Sequence, residues 1–246
     1  MTEDIRTVFW KEWKEILLQR SAGGGGARQP LIVIAVVGIF VPLRMGPSRF
    51  FGLQIPLIVS FLSAVAISAV VAEAFAGERE RHTLETLLAS RLSDQAILLG
   101  KFGACVGYGW LIAIACELLG IITVNVTNWH GQILMFHDVP SWLGLILGPP
   151  LLGAVVASAG VFVSLHAATV RQAQQTLGVG LMVLIFGTIF GYGALPAAWK
   201  ARLVQVLFEW SLTELILLGA GIVLLIDIAL VAAAMARFQR AKLVLD

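Results

Sequence analysis

Residues Ala76–Lys101 read AGERERHTLETLLASRLSDQAILLGK, the longest polar run in an otherwise apolar chain. Apolar stretches of roughly twenty residues or more flank it on both sides, so it forms a loop at one face of a membrane. Its pattern is too regular for a passive connection. Leu84, Leu87 and Leu88 recur at helical spacing. Glu78 and His82 stand four residues apart, as do Arg81 and Glu85, the spacing at which side chains meet on one helix face. Ser93 or Asp94 then offers an N-cap for a new helix. The expectation is a short amphipathic helix, a break at 91–93 and a fresh helix start. Such a helix must place its leucines on the lipid surface or on a partner protein.

Composition sets the class. Of 246 residues, 59% are hydrophobic and 13% charged, with a mean hydropathy of +0.90; soluble domains carry roughly 25% charged residues. The apolar runs are continuous rather than alternating, which excludes a β-barrel and predicts an all-α membrane protein in a lipid bilayer. A net charge of +2 gives no reason to expect nucleic acid as a partner.

Residues 1–28 form an N-terminal unit, and 29–246 a transmembrane domain. On residues 1–20, Ile5, Val8, Phe9, Trp13, Ile16 and Leu17 share one helical face, opposite Arg6, Lys11, Lys14, Glu15 and Gln19. With Trp10 and Trp13 beside lysines, this predicts an amphipathic helix lying in the membrane interface. No signal peptide is expected, because acidic residues come first and the first apolar run begins at Leu31. Gly23–Gly26 should end the helix.

Six spans follow, at about 29–45, 53–76, 102–124, 142–165, 176–195 and 213–236. The first is short for a hydrocarbon core of roughly 30 Å, leaving a re-entrant segment as the alternative. Pro149-Pro150 should kink or break the fourth. Residues 196–210 are predicted to be a second interfacial helix, and Ser211-Leu-Thr-Glu214 matches a capping box that starts the sixth span. Gly103/Gly107, Gly144/Gly148 and Gly187/Gly191 have GxxxG spacing, read mainly as close packing within the chain, with a dimer seam as the alternative.

Orientation follows from Lys and Arg. With the first end inside, only Arg44, Arg49, Lys200 and Arg202 of the 17 fall outside. Both termini and the 76–101 loop are therefore expected in the cytoplasm.

Cys105 and Cys116 lie on one span about 16 Å apart along its axis, too far for a disulfide within one helix. His130, His137 and Asp138 match no metal pattern. Asn125-Val126-Thr127 is a sequon, of meaning only in a host that glycosylates. Ionisable groups central to a span cost about 2.5–3.5 kcal/mol on insertion scales. Glu117 and Asp227 should therefore face protein or water, as a buried hydrogen bond or as the lining of a translocation path. Glu73, near an inner end, can reach the interface.

Residues Gly77–Glu80, Thr83–Ser90, Leu92–Ser93 and Gly100–Lys101 resemble the cytoplasmic loop of type-2 ABC transporter permeases. His82 and Arg91 depart from the Gly and Pro often found there, at the helix start and the break. The resemblance implies a coupling helix seated on a separate ATPase subunit. Its interface residues are then Glu78, Arg79, Glu80, Arg81, Thr83, Leu84, Glu85, Leu87 and Leu88. It further implies a permease subunit of an exporter in the cell membrane, paired with a second permease, identical or different. The 166–175 loop, with Arg171, Gln172, Gln174 and Gln175, can approach the ATPase as well. The chain carries no Walker A, HExxH or GxSxG motif, so ATP and magnesium are expected on the partner, and no catalytic residue, metal or cofactor on this chain. Two alternatives remain: a haem-exporter B-type permease, and an ATP-independent secondary transporter that uses Glu117 and Asp227.

Overall fold

The computed structural model describes residues 1–22, 28–81, 91–136 and 138–237. Helix α1 (Thr2–Ala22) opens the chain, with Glu3 and Asp4 in its first turn. Then come α2 (Arg28–Ala35), a π-helical stretch (Val36–Phe40), α3 (Val41–Met45) and α4 (Pro47–Phe50). The long helices are α5 (Gln54–Glu80), α6 (Asp94–Thr127), α7 (Val139–His166), α8 (Val170–Ala194) and α10 (Leu212–Arg237), with α9 (Ala197–Glu209) between the last two.

Among the described residues five helices, α5, α6, α7, α8 and α10, are long and apolar enough to cross a membrane. The expected first span is shorter. Its apolar part, Pro30–Met45, covers about 24 Å at 1.5 Å per residue. Gly46, at φ 73°, ends it by turning the chain into a region that only glycine enters freely, and Pro47 starts α4. The π-helical stretch frees backbone carbonyls, and the Thr123 hydroxyl of α6 lies 2.8 Å from the carbonyl of Gly38.

The other expected spans grow at their ends. The second continues to Glu80, because its terminal charges find partners described below. The third begins at Asp94, where Ser93 Oγ accepts from Ala96 N at 3.2 Å. The fourth stays helical through Pro149-Pro150, so of the expected kink or break the break does not occur. Neither proline can donate its helical bond, and α5 and α10 both pack on α7. The sixth starts on a realised capping box: Ser211 N donates to Glu214 Oε2 at 2.8 Å, and Glu214 N donates to Ser211 Oγ at 3.2 Å.

The core is the bundle of α5, α6 and α7, with α10 packed on α7. Ile67, Val71, Cys105 and Val161 are fully buried there. Helix α8 touches this bundle mainly through its first turns, where Ala173 and Leu177 are buried and Val170 and Leu181 partly so, and most of its remaining apolar surface is exposed. Both cysteines are buried, and neither forms a disulfide among the described residues.

At the end of the bundle far from the 76–101 loop, Phe51 packs edge-on against Phe136, and Phe136 against Trp142. Asn125 closes that side. Its amide donates to the carbonyls of Ile121 and Leu134, and its oxygen accepts from Leu134 N at 2.7 Å. The sequon asparagine thus clamps a loop. Asp138 caps α7 by accepting from Ser141 N at 2.9 Å; His137 lies outside the described residues.

The glycine pairs divide. Those of α6 form the floor on which α1 lies. A Cβ on Gly107 would stand 3.2 Å from the Trp13 ring, and one on Gly100 2.6 Å from Val8. Gly144 of α7 faces Pro56 and Leu53 of α5. Gly187 and Gly191 of α8 have nothing within 4 Å of the Cβ position among the described residues. Packing within the chain accounts for the first two pairs and not the third.

Candidate functional site

The charges of the polar loop converge at the end of the bundle where α1, the C-terminus of α5 and the N-terminus of α6 meet. Helix α1 buries a stripe that recurs with the helical period: Val8, Glu12 and Ile16. Phe9 and Trp13 stack beside it, 5.6 Å between ring centroids. A carboxylate in the middle of an apolar stripe requires a partner. That partner is Lys101, on the second turn of α6 and 1% exposed.

Lys101 Nζ donates to Glu12 Oε1 at 2.9 Å, to Glu78 Oε1 at 2.8 Å and to the carbonyl of Ala74 at 3.0 Å. All three protons of the ammonium are used. The ammonium also lies 5.7 Å from the centroid of the Phe75 ring. Lys11 adds a second cation, 3.1 Å from Glu12 and 3.5 Å from Glu78. Burial works to lower the Lys11 pKa, but attraction to Glu12, Glu78 and Glu15 and the hydrogen bond to Glu12 outweigh it, so the ammonium is held above the ordinary lysine value of 10.5. Two lysines and two glutamates balance. A cavity of about 30 Å³ beside them, lined by Glu12, Glu15, Glu73, Glu78 and Arg81, separates α1 from α5.

The remaining charges of the run point to other elements. Arg79 Nη1 donates to the carbonyl of Leu165 at 2.7 Å, at the last turn of α7. Glu80 Oε2 accepts from Val170 N at 3.0 Å, at the first turn of α8. Thr169 Oγ accepts from Gln172 N at 3.2 Å and caps the same helix. Arg81 lies 3.9 Å from Glu73. Four consecutive residues, Glu78–Arg81, thus bond to α6, to the end of α7, to the start of α8 and back to α5. Gln174 of the second polar loop reaches the carbonyl of Ala69 at 3.4 Å.

Among the residues singled out from sequence, Glu78, Arg79, Glu80 and Arg81 come together here. Thr83, Leu84, Glu85, Leu87 and Leu88 lie outside the described residues. Glu117 lies several turns further along α6 than Lys101, and Asp227 lies on α10, outside the three helices that meet here. Each is buried, 2% and 5% exposed, and neither carboxyl has a hydrogen-bond partner among the described residues. Among the described residues the two are not bonded to each other. Sequence reasoning passed over Glu12. Its signal was its register: a charge on the same stripe as Val8 and Ile16.

The family model described as "ABC-2 family transporter protein" matches residues 6–243. The sequence is 24% identical over 195 residues to a protein of Escherichia coli strain K12 named "Probable multidrug ABC transporter permease YbhS". The same figures hold for its counterpart in Escherichia coli O157:H7. The match covers 78% of this chain and 48% of each relative, so the chain spans about half the length of the curated relatives it matches. With a family match from the first helix to the last and an all-helical apolar bundle beneath it, the chain belongs to the ABC-2 transporter family, as a membrane permease.

Proposed function

We propose that this chain is the transmembrane subunit of an ATP-driven exporter in the cell membrane, coupled to a separate ATPase by the segment 77–92. ATP and magnesium bind the partner. A second permease subunit completes the translocation path. Both termini and the 76–101 loop face the cytoplasm, as the Lys and Arg bias requires. Helix α1 lies at that interface, with Trp10 exposed and the Lys14 ammonium 5.2 Å from its ring centroid.

One observation carries the reading: the four charged residues that precede the leucine-bearing segment are bonded to three other parts of the chain. Displacing this end of α5 displaces α6 and the α7–α8 corner with it. A partner that grips Leu84, Leu87 and Leu88 therefore moves the spans and not a loose loop. Export follows when closure of two ATPases drives this end of each permease and the path between the subunits opens outward.

The test is affinity capture of the tagged chain from its native membranes, followed by mass spectrometry. Wild type should bring down a Walker A ATPase in near-stoichiometric amount. Leu87→Asp should insert normally and lose it. Equal recovery of the ATPase with Leu87→Asp contradicts the reading.

A further inference from the structure

We propose that Lys101 is a positioning residue that locks α1 to the base of the polar loop, so that α1, the end of α5 and the start of α6 respond to the ATPase as one body. The inference rests on the proposed function and adds to it the residue that transmits the motion and the element carried along.

The argument is geometric. From a third helix, Lys101 bonds α1 and the charged run at once: 2.9 Å to Glu12 of α1 and 2.8 Å to Glu78 of α5. It sits on α6, a helix that continues to Thr127 at the far end of the bundle. A single buried ammonium thus ties three helices whose residues are 89 and 23 positions from it in sequence. An amphipathic helix held at an interface by apolar contacts alone can slide, because such contacts have no direction. A buried, hydrogen-bonded charge fixes register, since any slip leaves it without partners. The glycine floor of α6 brings the α1 backbone close enough for Glu12 to reach. Lys11, on the solvent side, bonds the same two carboxylates and seals the contact.

The decisive variant is Glu12→Ala. It removes only the α1 end of the lock and leaves Lys101 bonded to Glu78 and to the carbonyl of Ala74. Amide hydrogen exchange of the full chain in nanodiscs should then run about tenfold or more faster over residues 5–17 than in wild type, as loss of a charged hydrogen bond implies. Glu12→Gln, whose amide oxygen still accepts from Lys101, should recover most of the protection. Affinity capture of the ATPase should be retained. In the reconstituted complex, the ATP-dependent change in distance between spin labels at the outer ends of α6 in the two permeases should fall several-fold. Unchanged exchange over residues 5–17 overturns the proposal. So does released α1 with a full ATP-dependent change, because α1 would then be only an anchor. A wild-type chain that captures no ATPase overturns the proposed function, and the transmitting role with it, while the exchange result still reports whether Glu12 holds α1.

Discussion

Lys101 Nζ and Glu12 Oε1 lie 2.9 Å apart across 89 residues of sequence, and both side chains are almost completely buried. An ammonium and a carboxylate withdrawn from water are stable only as partners. Removing one of a buried pair costs about 3–5 kcal/mol, because the other is stranded. Lys101→Met leaves Glu12 and Glu78 with Lys11 but without the buried ammonium that faces both, and should lower the midpoint of thermal unfolding in detergent. The double variant Glu12→Gln, Lys101→Met should recover much of the loss.

The glycine floor under α1 predicts a position-dependent response to bulk. A side chain at Gly107 meets Trp13, whereas one at Gly187 meets nothing within the described residues. Overpacking costs about 1–3 kcal/mol. Gly107→Leu should therefore detach α1 and expose it to limited proteolysis, and Gly187→Leu should leave α1 protected.

Lys11 contributes one part of the pH response of α1. The folded-state pKa of Lys11 is raised, so its contribution is complete below the ordinary lysine value and is lost as pH rises above about 10.5 through the folded value. Docking of α1, followed by Trp fluorescence, should show no loss from this lysine across neutral and mildly alkaline pH. Release between pH 7 and 9 would contradict the assignment.

Glu117 and Asp227 give the prediction that separates ATP-driven export from ion-coupled transport. Neither carboxyl bonds to the other or to any described residue. Glu117→Gln and Asp227→Asn should each leave transport dependent on ATP and indifferent to a collapsed ion gradient. Transport that follows the gradient, and is lost in either variant, would favour the secondary-transporter alternative.

The capping box of α10 is a local test. Ser211→Ala removes the acceptor for Glu214 N and should cost about 1 kcal/mol, read as a small loss of thermal stability with unchanged insertion.

The long apolar helices were legible from the length and continuity of their apolar runs, and the helix starts at Ser93 and Ser211 from their side chains, because both signals are local. The glycine spacing marked close approach but not what approaches: on α6 it receives α1, on α7 it receives α5, and on α8 no described residue. Pro149-Pro150 suggested a kink or a break, and the helix runs on through the pair in contact with α5 and α10, a tertiary setting absent from a window of sequence. Of the candidate site, the charged run 78–81 was legible because its residues are adjacent. The Glu12–Lys101 contact was not, because nothing in either segment names a partner 89 residues away. What the register of Glu12 could show was a charge on a buried stripe in need of an opposite one.

The most direct measurement of the central claim is photo-crosslinking in native membranes from a photoreactive amino acid placed at Leu87. The account predicts an adduct between this chain and a Walker A ATPase, sensitive to ATP and abolished by Glu85→Arg. Adducts with lipid alone, or none where the ATPase is present, would contradict it.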